Sequence, residues 1–308
     1  MSSAGTRVPH PNNPARAAWI LAITLALLVA LAGVIAPPAP AVGLDTACGT
    51  PLSAAEVDTI VELSETTTLT GTALQRLERA VGNHRRIVEI LVEHRDRRGV
   101  FALGLDAIEQ AAVMPLQRTE AAFDDPGWSH RISLELLSRF LRNLHAEFSG
   151  GAMEPHWAHY FGLTKQCGLS PARVAMAGYN AHLSIDLSLS VAALRGTVAN
   201  GADYFRLVDA IAIEGFRIVD VTKAVYGGDL GPLWRFYFLG EGLDAVLGAG
   251  VATKPLLRLA DAGANVLIFG NALALQDAAL APTVRAEMDL LWRSGDAAFE
   301  VLATLGGL

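Results

Sequence analysis

Charge, aromatic side chains and cysteine are all scarce in this 308-residue chain: 18% of residues are charged, 7% are aromatic and two are cysteines. Because 52% of residues are hydrophobic, the low charge excludes a disordered protein and allows a sizeable core. The 24 basic residues are outnumbered by 31 acidic ones and lie scattered, so no nucleic-acid partner is expected. No convincing run of alternating apolar and polar residues marks a strand, no internal repeat is found, and no linker divides the body. Ala, Leu, Gly and Val make up much of the remainder, which suits helices that meet through small residues.

Residues 1–16 carry Arg7 and Arg16 but no acid, and Ala17–Ala36 is uncharged and almost wholly apolar. Pro37-Pro38 ends any helix there, and Ala39-Pro40-Ala41 offers small residues where a signal peptidase reads. Residues 1–41 are thus expected to be a signal peptide, with an uncleaved membrane anchor as the rival because the run is long enough to span a bilayer. Either way the body is expected to be exported, secreted or held on the outer face of the membrane. Cleavage removes two arginines and no acid, moving the net charge from −7 to −9. Cys48 and Cys167 are then either one disulfide or two separate thiols. Asp45-Thr46-Ala47 lacks the apolar residue of a lipoprotein box, so no lipid anchor is expected.

The remainder, 42–308, reads as a single all-α domain of about nine helices around a buried central one. Ser53 and Glu56 form a capping box ahead of a short helix. Helical periodicity follows over Thr68–Arg95, Gly99–Arg118, Ile132–Phe148, Glu154–Phe161, Ala202–Tyr226, Trp234–Leu247, Pro255–Ala279 and Pro282–Leu305. His84 and His94 fall in a charged stretch and are expected at a solvated surface. Asp203 is expected to cap the helix that starts after Gly201.

The central helix is Ala175–Leu194, A-M-A-G-Y-N-A-H-L-S-I-D-L-S-L-S-V-A-A-L. It is apolar enough for a core, yet it carries Asn180, His182 and Asp186. At 3.6 residues per turn His182 and Asp186 share one face, while Asn180 and Ser184 lie nearly opposite. Polar groups buried there must find partners inside the protein.

Seven of the eight histidines lie between His84 and His182. One arrangement gathers His156, His159, His182 and Asp186 around a divalent metal such as zinc, a nitrogen- and oxygen-rich ligand set. A position left for water would then support hydrolysis of a small ester or phosphoester. A metal-free arrangement has Asp186 orienting His182 as general base, with Tyr179 as a hydroxyl donor and Asn180 elsewhere in the cavity. Gly178-Tyr179-Asn180 is not a nucleophile elbow, which argues against covalent serine hydrolysis. The non-catalytic alternative is a helical binding or cell-envelope protein. In it, His182 and Asp186 make a structural hydrogen bond and the central helix lines a pocket for a small apolar or lipid-like ligand.

The segment A-G-Y-N-A-H-L-S-I-D-L resembles an uncharacterised actinobacterial domain-of-unknown-function family with the pattern A-G-M-N-A-H-I-x-x-D-L-P. Trp157 and Phe161 match a W-x-x-x-F upstream, and Ala202-Asp203-Tyr204 matches an A-D-Y downstream. The similarity spans roughly Gly99 to Trp292 and is specific around Asn180–Leu187. It implies a mainly helical fold and no particular activity. Asn180, His182, Asp186 and Asp203 match residue by residue. Ser188 replaces a proline, and His156 and His159 have no counterpart in the pattern.

Overall fold

The computed structural model describes residues 47–119, 121–231 and 253–304, all inside one compact unit, 45–308. The signal segment 1–41 and the helix expected at Trp234–Leu247 lie outside the described residues. Among the described residues there are ten helices and no strand.

The first helix, α1 (Ala54–Ser64), starts on the expected Ser53–Glu56 capping box. Next, α2 (Ala73–Glu93) begins later than its periodicity implies because Gly71 takes a φ of 103° and Thr72 forms a second capping box with Gln75. It is followed by α3 (Gly99–Gln117), interrupted by a π turn at Glu109–Val113. Asp125 caps α4 (Pro126–Ser149) by accepting from the Trp128 N–H, and Gly150 closes that helix with a left-handed φ of 76°.

Helix α5 (Pro155–Thr164) is short, and Ser170 then caps α6, residues 171–193. The span expected as one helix at Ala202–Tyr226 is two, α7 (Gly201–Glu214) and α8 (Phe216–Tyr226). At Gly215 the bonding tightens to three-residue spacing, from Gly215 N–H to Ala212 and from Ile218 N–H to Gly215, which ends the first helix. The last two helices are α9 (Thr253–Ala274) and α10 (Ala281–Thr304).

The core is a bundle of α2, α3, α4 and α6, with α1 against α2 and α4 and with α8 against α3. Helix α6 is the central one: it also meets α5, α9 and α10. By length and composition α3 could cross a membrane, but here it packs inside the bundle. Phe101 on α3 is the hub, with ring centroids 5.0 Å from Phe140, 5.3 Å from Trp157, 5.1 Å from Tyr179 and 5.1 Å from His182.

Two sequence expectations fail on α2 and α7. His84 is fully buried, because it continues the apolar row Leu77, Val81, Val88, Leu91 on the inward face of α2. His94 is only half-buried, but it is paired with Glu56 at 2.9 Å rather than left in solvent. Asp203 does not cap its own helix: its carboxylate accepts from the N–H groups of Asp124 and Asp125 at 2.8 and 2.7 Å, fixing the turn that enters α4.

Glycine sets the approach of α3 to α6. A Cβ on Gly178 would lie 2.7 Å from Phe101 Cβ and 2.8 Å from its Cγ, so the two helices would have to part. Gly178→Ala is therefore expected to destabilise the fold by about 1–3 kcal/mol through overpacking. Gly82→Ala, exposed in mid-helix with no atom near, should instead stabilise it by about 0.5–1 kcal/mol. Urea unfolding of the two variants checks both signs.

Candidate functional site

The site lies where α5 meets the middle of α6. Pro155, at the first position of α5, needs no N–H partner and places His156 and Trp157 in the first turn. Both reach Asp186. The Nε2–H of His156 donates to Oδ1 at 3.0 Å, and the Trp157 indole N–H donates to Oδ2 at 2.9 Å.

Asp186 closes a π turn, His182–Asp186, in which the N–H of Leu187 bonds to the carbonyl of His182 five residues back. The wider turn loosens the spacing that a regular helix implies. His182 Nδ1 stands 3.9 Å from Asp186 Oδ2, too far for a hydrogen bond, and has no other partner. The expected direct His182–Asp186 bond is therefore not made. His182 packs between the rings of Phe101 and Trp157, and burial pushes its pKa down to about 4 against the opposing pull of Asp186.

Asp186 is buried without a fixed cation. Among the described residues five acids are buried: Asp96, Glu109, Glu147, Asp186 and Asp203. Asp96 pairs with Arg98, Glu147 with Arg98 and Lys165, and Asp203 with Arg206. Among the described residues, the other two have imidazole and indole partners: His84 for Glu109, and His156 with Trp157 for Asp186. Glu154, at the cap of α5, lies beside the site, with Oε2 3.6 Å from His156 Nε2. Glu154, His156 and Asp186 each offer a ligand atom, all within 4.8 Å of one another. A cleft of about 170 Å³ opens beside His156, and its lining includes Ile185, Leu189, Met288 and Trp292 with one residue of each charge, Arg285 and Asp289. Arg285 makes no ion pair among the described residues.

The other expected site residues lie elsewhere. His159 turns to α10 and pairs with Asp296 at 2.8 Å, which Arg173 also holds at 2.9 Å, so it does not join His156. Burial opposes ionisation of Asp296, but His159 and Arg173 outweigh it and lower its pKa. Asn180 donates to the Trp292 carbonyl at 2.8 Å and accepts from Ser184, tying α6 to α10. The Tyr179 hydroxyl is buried against Gly104 with no partner, away from the cleft-lining residues. Neither Tyr179 nor Asn180 faces Asp186 as a catalytic partner.

Sequence reasoning missed Trp157 as the second donor, Glu154 as a carboxylate at the site, and Arg285. Glu154 stands two residues before His156 and is the one with a visible signal. The family comparison is decided by the same helices. A DUF5995 domain, a family of unknown function, is found at residues 77–214. The DUF5995 segment starts earlier than Gly99, taking in most of α2, and ends with α7. It carries Glu154, His156, Trp157, His182 and Asp186, whereas the α10 wall of the cleft lies beyond it. No curated protein and no solved structure matches the chain.

A folded chain that keeps His182 neutral takes up no proton there between the ordinary value of 6.5 and about 4, whereas the unfolded chain does. His182 thus contributes a loss of stability as pH falls through that window and nothing above it. Urea unfolding of chelator-treated protein should show wild type losing stability more steeply than His182→Asn from pH 6.5 to 4. The His182 ring should still be neutral by NMR at pH 5.

Proposed function

We propose that this chain is an exported, metal-dependent hydrolase of a small phosphoester or ester, with Glu154, His156 and Asp186 as the metal ligands. The observation that carries this is their convergence within 4.8 Å of one another, with His156 also lining a small cleft. A divalent cation would supply the positive charge that Asp186 lacks, and the Trp157 N–H would remain on Oδ2 as an orienting partner. Loading the metal requires the Nε2 lone pair of His156, so the neutral ring would carry its proton on Nδ1.

Asp289 also lines the cleft but is held by Arg293 at 2.7 Å, which leaves Arg285 to favour an anionic substrate, and Ile185, Leu189, Met288 and Trp292 suit an apolar group attached to it. A divalent ion held by Glu154, His156 and Asp186 would supply Lewis acidity and an activated water for attack on phosphorus, with the alcohol leaving on a proton from solvent. Export is supported by the apolar N-terminal run and by the Cys48–Cys167 disulfide, a bond that persists in oxidising compartments.

The non-catalytic alternative, a binding or cell-envelope protein, draws on the fact that both Asp186 oxygens already accept hydrogen bonds. Zinc and manganese titration into the chelator-treated full chain separates the two. The hydrolase reading expects tight binding that falls about 10- to 100-fold or more in His156→Ala and Asp186→Asn. It also expects turnover of p-nitrophenyl phosphate that these variants lose, and a raised KM with little change in kcat for Arg285→Ala. A wild-type protein whose metal binding is unchanged by His156→Ala and Asp186→Asn would overturn it in favour of the structural role.

A further inference from the structure

The second buried acid without a Lys or Arg partner is Glu109, and it sits in surroundings much like those of Asp186. It opens the π turn of α3, as Asp186 closes that of α6. The turn adds a residue to the helical register at the point where the side chain faces inward. His84 on α2 meets it, Nδ1 to Oε2 2.7 Å, with both side chains in the interior. Asp106, one turn earlier on α3, brings a second carboxylate, and the ligand atoms of His84, Asp106 and Glu109 all lie within 4.8 Å of one another.

Two features argue that this is not a closed structural knot. First, His84 is wholly buried and turns its Nδ1 to the carboxylates, 2.7 Å from Glu109 Oε2, while its Nε2 has no partner. Second, no Lys or Arg among the described residues pairs with Asp106 or Glu109, and Asp106 accepts only from the side-chain amide of Gln110 at 3.0 Å.

We propose that His84, Asp106 and Glu109 form a second divalent-cation site, built between α2 and α3 in the bundle core. One imidazole and two carboxylates suit zinc or manganese, and bundle cores commonly build such sites from inward residues of facing helices. Its ligands are separate from those of the α5–α6 site. Phe140 packs against both His84 and Trp157, with ring centroids 5.7 and 5.0 Å away, so the two sites share one interior. Glu109 and His84 fall within the DUF5995 segment, as the first site does.

The test is metal stoichiometry in the chelator-treated, disulfide-intact full chain, by calorimetric titration with Zn²⁺ or Mn²⁺ and by elemental analysis after gel filtration. Two equivalents are expected for wild type. Glu109→Gln, which keeps the shape of the side chain, and Asp106→Asn, which is only partly buried, should each lower this to one while far-UV circular dichroism stays unchanged. His156→Ala should also leave one, retained at the second site. A single wild-type equivalent that survives Glu109→Gln and Asp106→Asn but is lost in His156→Ala overturns this second site and leaves the hydrolase reading standing. A single equivalent lost in Glu109→Gln and kept in His156→Ala supports the second site and overturns the first.

Discussion

Burial of the Asp186 carboxylate without an arginine or lysine is the constraint around which the middle of this fold is arranged. A carboxylate moved from water to an apolar interior loses several kcal/mol of solvation unless donors replace what water supplied. Here the donors come from a different helix, so α5 has to enter with its first turn against the midpoint of α6. Hydrogen bonds to a charged acceptor contribute about 1.5–3 kcal/mol each, and removing one leaves a buried oxygen bare. The position of α5 is therefore set by a polar requirement at one end. Further along, α5 adds the His159–Asp296 pair, a Tyr160 hydroxyl bonded to the backbone at Arg98 and Phe101, and apolar packing through Phe161.

The π turns carry this logic into the backbone. An extra residue in a turn costs helix regularity, and both described π turns hold a buried acid facing the core, Glu109 at the start of one and Asp186 at the end of the other. In a regular helix His182 and Asp186 would stack one above the other and satisfy each other. The wider turn separates them, so each must look elsewhere: Asp186 to α5, and His182 to the rings around it. An arrangement that gives up a local bond for two partners from another element makes the site a property of tertiary structure. That is where metal and substrate sites are built, and it is why the second cluster invites the same interpretation as the first.

Much of this was legible in the sequence, and the parts that were not have identifiable physical causes. Some helix ends were legible because capping is local chemistry: Ser53 with Glu56 acts where its type implies, whereas α4 and α6 start at Pro126 and Pro171, ahead of the periodic stretches that begin at Ile132 and Ala175. The importance of His156 and Asp186 was legible because polar residues in an apolar segment must be explained. The same rule applied to Gly99–Gln117 would have found Asp106 and Glu109, the only acids in that helix. His84 was hidden by its neighbours Arg85 and Arg86, although its spacing from Leu77 and Leu91 places it on the inward face. A π turn has no local signature, so the loss of the His182–Asp186 bond and the recruitment of Trp157 were beyond periodicity.

The strain of holding uncompensated acids must be offset away from them, and the start of α6 is where the chain does so. Cys48 and Cys167 are bonded across 119 residues, a closure that in the chain-entropy picture restricts the unfolded state by about 5 kcal/mol. The bond fixes the loop just before Ser170, and Arg97 reinforces it by donating to the carbonyls of Gln166 and Leu169. One turn on, buried Arg173 clasps Asp296 and Glu300 of α10. Asn180 repeats the tie to α10 two turns later, where Gly295 lets that helix come close. Each of these contacts holds the first half of α6 and none touches Asp186. The second half can then carry the π turn and the buried charge without fraying, since the helix is clamped before the distortion begins.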